Sequence, residues 1–198
     1  MIPVTLKPEP ADFEAKVRQP GNDWLRANNI PLDGPLPPKT KLPTYWSLLN
    51  EDLWNAYDGT CAYLAIFFEF VTGAGSTDHF IAKSQTPRYA YEWSNFRLSC
   101  LGPNRNKNKY DDVLDPVGLS AGMFVLNLVS GEITPGPCLS KDEKARARNT
   151  IKRLKLASPA HNKMRQRHFA EYLRHKDSDH LKKLSPFVWS EADRQGLL

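Results

Sequence analysis

The sequence predicts an α+β fold, on three observations. Short β-branched or aromatic stretches bounded by Gly, Pro, Asn or Asp lie between residues 61 and 134. The last third reads as capped helices, and a Pro-rich stretch occupies the start. At 198 residues the chain suits one compact domain, or a small catalytic core with an appended helical part.

Residues 1–45 are expected to form an extended arm, because Pro35, Pro37, Pro38 and Pro43 fit neither regular helix nor central strand. Within it, Asp12 to Asn28 supports short helices interrupted at Pro20-Gly21. From Ser47 to Asp58 the residues Leu48, Leu49, Leu53, Trp54 and Tyr57 recur at helical spacing, which predicts an amphipathic helix. Cys61 to Val71 is apolar and ends in Thr72-Gly73-Ala74-Gly75, so it reads as a buried strand. Ser76–Ile81 and Phe96–Ser99 read as two further strands, and the run NRNKNK suits a short polar helix or turn. Met123–Val129 and Glu132–Thr134 flank Ser130-Gly131 and read as a hairpin. Helices are expected at Lys141–Leu156, Pro159–His175, about Ser178–Leu184 and after Pro186, with Ser158-Pro159 a start signal. Trp54 and Trp93 are read as core.

The longest apolar run, Ala62 to Val71, contains Glu69 and is too short and too polar to cross a bilayer. The first residues show no basic stretch followed by an apolar one, so a cytoplasmic protein is the expectation. Three cysteines, Cys61, Cys100 and Cys138, do not make a disulfide framework. Residues 1–140 hold 12 Lys/Arg against 15 Asp/Glu, whereas residues 141–198 hold 15 against 7, so a polyanion would be drawn to the C-terminal part. A basic helical surface is by itself more often a solvated face.

The stretch that carries chemistry is Ser76 to Pro116. Phosphodiester hydrolysis needs an activated water, relief of charge on the phosphate and a stabilised leaving oxygen, which one divalent cation and one base supply. Asp78 and His79 are adjacent, so a ligand and a base there require a strand end or a bulge, since neighbouring strand residues point to opposite faces. Asp and Asn oxygens suit a hard cation. Taken singly, an Asp-His pair is usually a surface or capping pair, and an Asn-rich turn is usually only a turn. His161, His168 and His175 recur at sevens, too far apart for a metal, and are read as helix surface or nucleic-acid contacts.

The ordered set Asp78-His79, Trp93-Ser94-Asn95 and Asn104 to Lys107 resembles the HNH nuclease family. The DHFIAKS, AYEWSNFRLSC and VLDP elements are similar to small stand-alone bacterial HNH proteins, including the nuclease subunits of Septu-type anti-phage systems. The resemblance implies a ββα-metal (HNH/His-Me finger) core at 46–139, between the extended arm of 1–45 and a basic helical region at 140–198. It implies His79 as general base, Asn95 as the residue that orients it or its loop, and Asp78 and Asn104 as ligands of one Mg²⁺ or Mn²⁺. Asn108, four residues after Asn104 on the same helical face, would be an outer ligand. Lys83, Arg97, Arg105, Lys107 and Lys109 surround the proposed site in sequence and would contact nucleic acid, neutralising phosphates that flank the cut. Many relatives bind a structural zinc through two Cys-x-x-Cys pairs; here Leu64 and Pro103 replace the second cysteine of each, so no structural zinc is expected, and Cys61 and Cys100 are read as buried packers.

The implied activity is metal-dependent endonucleolytic cleavage of DNA by an anti-phage effector, with an ATPase-type protein partner. Two alternatives stay open: an RNA-cutting HNH enzyme, and a catalytically silent scaffold that binds nucleic acid or a protein.

Overall fold

The computed structural model describes residues 1–198 and is a mixed α+β protein with seven α-helices and two small two-stranded antiparallel sheets. Its apolar core is one cluster that draws on every part of the chain, from Phe13, Val17 and Leu25 through Phe96 and Leu98 to Phe187 and Val188. No helix is long and apolar enough to cross a membrane.

The first 45 residues are not simply an extended arm. Helix α1, Gln19–Ala27, follows directly on a π-type turn, Glu14–Arg18, so the chain stays helical through Pro20. The wider turn, closed by the Gln19 N–H on the Glu14 carbonyl, eases the crowding that proline imposes on the preceding turn. Gly21 is required there because a Cβ would fall 2.2 Å from the Tyr91 ring. Beyond α1, residues 28–44 are irregular and include the prolines. A 3₁₀ turn, Tyr45–Leu49, leads into helix α2, Asn50–Ala56, where the sequence predicts a single helix.

Cys61 to Phe68 is a largely buried, turn-rich segment and not the expected strand, while Glu69 to Val71 are exposed and run into a 3₁₀ turn, Phe70–Thr72. Ala65 takes a left-handed φ of 49°, the Cys61 N–H donates to the Ile66 carbonyl, and Thr60 bridges Phe67. The Ala62 N–H docks this loop on the Leu98 carbonyl. Apolar content reports burial here, and the backbone groups are satisfied without a ladder.

Strands β1, Gly75–His79, and β2, Phe96–Cys100, pair antiparallel with Asp78 opposite Arg97 and His79 opposite Phe96. Helix α3, Leu101–Lys107, begins at the next residue and packs against both strands. Strands β3, Phe124–Leu126, and β4, Ile133–Pro135, form the second hairpin. In its turn Gly131 has φ 68° and lies so close to the Asn162 carbonyl that a Cβ would clash.

Helices α4, Lys141–Leu154, α5, Pro159–His175, α6, Ser178–Leu184, and α7, Pro186–Arg194, complete the chain close to the expected bounds. Their starts follow the capping signals: Ser140 and Glu143 form a capping box, Ser158 precedes Pro159, and Asp177 accepts from the His180 N–H. Helix α4 packs on α3, where Asn106 Nδ2 donates to the Leu154 carbonyl at 3.2 Å.

Candidate active site

β1 ends at His79, so the chain is free to turn immediately after the Asp78-His79 pair. Both side chains line one cavity despite being neighbours in a strand. The loop that follows is fixed from within by Asn95. Its Oδ1 accepts the Ile81 N–H at 2.7 Å, and its Nδ2 donates to the carbonyls of Ile81 at 3.0 Å and Tyr89 at 2.9 Å. Asn95 thus shapes the loop on which the histidine rests, and it does not touch the ring.

His79 is 4% exposed, with its ring edge-on to Trp46 and Phe96. Nε2 lies 2.9 Å from the Ala90 carbonyl, which can only accept, so Nε2 carries the proton and Nδ1 holds the lone pair. Lys83 Nζ sits 3.4 Å from that nitrogen. Burial first, and then the Lys83 charge, hold the imidazolium pKa well below its ordinary value, so the ring is neutral near pH 7.

Asp78 is 2% exposed. Its Oδ2 accepts from the Tyr63 hydroxyl, and its Oδ1 lies 3.5 Å from Lys107 Nζ. Burial pushes the carboxyl pKa up, while Lys107 and then Tyr63 pull it down. Burial and the Asp78 charge raise the Tyr63 phenol well above its ordinary value, so it stays a donor. Lys107 is fully buried and also donates to the His79 carbonyl at 2.8 Å.

Asn104 projects from α3 into the same cavity. Ser76 Oγ donates to the Ser99 carbonyl at 2.9 Å, so toward Asn104 it can only accept, and Asn104 Nδ2 donates to it at 2.9 Å. That fixes the amide orientation and leaves Asn104 Oδ1 without a partner in the chain.

The cavity measures about 770 Å³. Its lining brings together Asp78, His79 and Asn104 with three of the five expected phosphate contacts, Lys83, Arg105 and Lys109, and with Asn108. The other two are placed elsewhere. Arg97 is buried in a bidentate pair with Asp115, at 2.8 and 2.6 Å, and also donates to the carbonyls of Ser94 and Phe96. Lys107 faces inward on Asp78 and His79, so neither cation is available to a phosphate.

Several participants were not legible as such. Tyr63 lies in the run read as a strand, Trp46 in the approach to α2, and Leu36, Lys41 and Leu42 of the Pro-rich segment form part of the cavity wall. His168 is buried, contrary to the surface expectation, and its Nδ1 has no partner. Cys61 and Cys100 lie together as free thiols, with the N–H groups of Cys100 and Leu64 donating to Cys61 Sγ at 3.3 and 3.5 Å.

Asp78 and Asn104 both line the cavity that holds the His79 base nitrogen, and carboxylate and amide oxygens are the donors a hard divalent cation takes. Both Asp78 oxygens are engaged within the chain, Oδ2 by Tyr63 and Oδ1 by Lys107, whereas Asn104 Oδ1 is not. No group of three His, Cys, Asp or Glu side chains is arranged to hold a metal ion anywhere in the chain, so these two residues and solvent or substrate would make up the ligand set. No protein-family model matches the chain, and no curated protein matches it.

Proposed function

We propose that this chain is a metal-dependent endonuclease built on a ββα-metal core of β1, β2 and α3. The observation that carries the reading is the state of His79. With Nε2 committed to the Ala90 carbonyl, Nδ1 is the nitrogen left to act as base, in the cavity that Asp78 and Asn104 also line. A neutral imidazole whose tautomer leaves one nitrogen unprotonated can take a proton from water.

His79 Nδ1 takes the proton of the attacking water, and the Ala90 carbonyl stabilises the imidazolium through Nε2–H. Lys83, Arg105 and Lys109 neutralise the phosphates that flank the cut. Asp78 and Asn104 would hold one Mg²⁺ or Mn²⁺, which when bound supplies charge relief at the phosphate and the leaving oxygen. Backbone engagement of this kind carries little base information, so cleavage of low sequence preference is expected. DNA as substrate, a role as a bacterial anti-phage effector, a cytoplasmic location and an ATPase-type partner belong to the same proposal, on the resemblance carried by DHFIAKS, WSNFRLSC and VLDP.

One observation favours a catalytically silent scaffold: Lys83 caps the His79 base nitrogen and Lys107 caps Asp78. The 3.4 Å contact of Lys83 is long for a hydrogen bond. Incubating the purified protein with plasmid, linear DNA and RNA in Mg²⁺, Mn²⁺ or EDTA separates the readings. Cleavage that EDTA stops, and that a folded His79→Ala variant lacks, supports the enzyme. Full activity in EDTA, or wild-type rates in that variant, would sink it.

A further inference from the structure

We infer that the cavity takes a single strand of nucleic acid, or an unpaired stretch of a duplex, and not paired DNA; this rests on the nuclease reading of the same site. The groups that would act lie at the bottom of the cavity, since Asp78 is 2% and His79 4% exposed. Besides these residues, two stretches of chain line the cavity. One is residues 36–44, and the other runs from Leu101 to Lys109. The first wall is not loose: the Leu36 N–H donates to the Ser84 carbonyl at 2.9 Å, Tyr91 Oη donates to the Pro43 carbonyl at 3.0 Å, and Arg88 grips Asp33 with two hydrogen bonds.

Because His79 is only 4% exposed, a phosphate must pass the residues of these two stretches to reach Nδ1. At about 770 Å³ the cavity is in the range of small-molecule sites, room for a short stretch of one strand and far short of a duplex. Paired DNA presents its phosphates on a rod with a persistence length of about 50 nm and cannot fold one strand into such a slot without local unpairing. A single strand bends freely, and grooves that hold one combine a basic track with aromatic side chains on which bases stack; Trp46 is the aromatic residue in this lining. The charge matches: Lys41 stands on one wall, Arg105 and Lys109 on the other and Lys83 near the floor, while the only acidic lining residue, Asp78, is already faced by Lys107.

The test uses one labelled oligonucleotide sequence as single-stranded DNA, single-stranded RNA, blunt duplex DNA and duplex DNA with a central unpaired bubble. Binding is read by fluorescence anisotropy in EDTA, and cleavage is read in Mn²⁺. The expected result is at least about tenfold tighter binding of single strands than of duplex, with cuts in the bubble substrate confined to its unpaired residues. The two single-stranded arms show whether DNA or RNA is preferred. In Lys41→Ser the log–log salt slope for single-strand binding should become shallower by about 0.7, with an unchanged melting temperature. Equal or tighter binding of duplex, or an unaltered slope in Lys41→Ser, overturns the inference. Tight single-strand binding without any cleavage would leave it standing and remove the nuclease reading.

Discussion

Asn95 holds the peptide of Ile81 from both sides, accepting its N–H through Oδ1 at 2.7 Å and donating to its carbonyl through Nδ2 at 3.0 Å. Ile81 lies two residues after His79, so the amide that shapes the loop also sets how the chain leaves the proposed base. A side chain with one acceptor and two donors is needed, which an aspartate cannot imitate.

Asn95→Asp should therefore leave the carbonyls of Ile81 and Tyr89 facing a carboxylate in a buried setting. A loss of about 3 kcal/mol is expected, from unmade buried hydrogen bonds. Urea unfolding measures it, and cleavage should fall with it because the loop carries the Ala90 carbonyl that orients His79. Wild-type stability and rate in Asn95→Asp would show that Asn95 does not hold the loop.

Lys107 and Asp78 are an ion pair inside the protein, with side chains 0% and 3% exposed. Removing one partner of a buried pair strands the other charge and costs about 3–5 kcal/mol. Lys107→Met should destabilise on that scale, and should do so much less when Asp78→Asn is already present. A double-mutant cycle by urea unfolding gives the coupling; equal losses in both backgrounds would mean that the two do not interact.

Asn104, which lines the cavity with its Oδ1 unbonded, gives a metal prediction distinct from the fold. Asn104→Ala also loses the bond to Ser76, which is half-buried, so its stability cost should stay near 1 kcal/mol. Apparent Mn²⁺ affinity in cleavage assays should fall about a hundredfold, since a site with two protein oxygens loses one. A Mn²⁺ dependence like that of the wild type would take Asn104 out of the ligand set.

The elements most legible in the sequence were those whose ends carry their own chemistry. Ser158 with Pro159 marks the start of α5, which begins there, and in the structure Ser140 with Glu143 and Asp177 cap α4 and α6 through similar local hydrogen bonds. The pair Asp78-His79 and the two asparagines could be singled out because order and spacing are one-dimensional. The Cys61–Val71 loop was misread because an apolar run reports burial and says nothing of whether the backbone bonds in a ladder or in turns. Arg97 and Lys107 were read as phosphate contacts because charge suggests solvent, and only tertiary structure reveals Asp115 and Asp78 waiting inside. The cavity wall at 36–44 was out of reach for the same reason, since the bonds from Leu36 and Pro43 run to residues more than forty positions away.

His168 gives a pH prediction away from the proposed site. Burial, and then the charges of Arg167 and His180, lower its pKa to about 4. Unfolded, it returns to about 6.5, so between these values the unfolded chain binds the extra proton. The stability this group secures is complete above pH 6.5 and is lost as pH falls toward 4, by roughly 2 kcal/mol once solvent screening is allowed for. His168→Phe removes the titration and the unpartnered Nδ1. Urea unfolding at pH 7.5 and pH 5 should show a smaller drop for the variant than for the wild type; equal drops would show that His168 protonates freely in the folded state.

The basic C-terminal region gives the last prediction. Residues 141–183 hold 14 Lys/Arg against 5 Asp/Glu, and α4 lies directly behind α3, the helix that carries Asn104 and Arg105. Arg148, Lys152 and Lys155 follow one another at i, i+4 and i+7 and are all exposed, with Arg146 exposed nearby. Arg153 differs, because it pairs with Asp112 at 3.0 Å and covers the Tyr110 ring at 3.8 Å. Replacing Arg146, Arg148, Lys152 and Lys155 by Ser should weaken nucleic-acid binding for every sequence tested. If the face tracks phosphates, the log–log salt slope should become shallower by about 0.7 per lost contact on a single strand and about 0.9 on a duplex. Cleavage at saturating substrate should hardly change, because none of the four lines the cavity. Arg153→Gln should instead cost up to about 1 kcal/mol of stability, the scale of a partly exposed pair, with little effect on the slope. A face that docks on an acidic protein would give the opposite pattern, with nucleic-acid affinity unchanged and complex formation lost. Binding measured at two salt concentrations distinguishes the two, and an unchanged affinity and slope in the fourfold variant would remove α4 from the nucleic-acid interface.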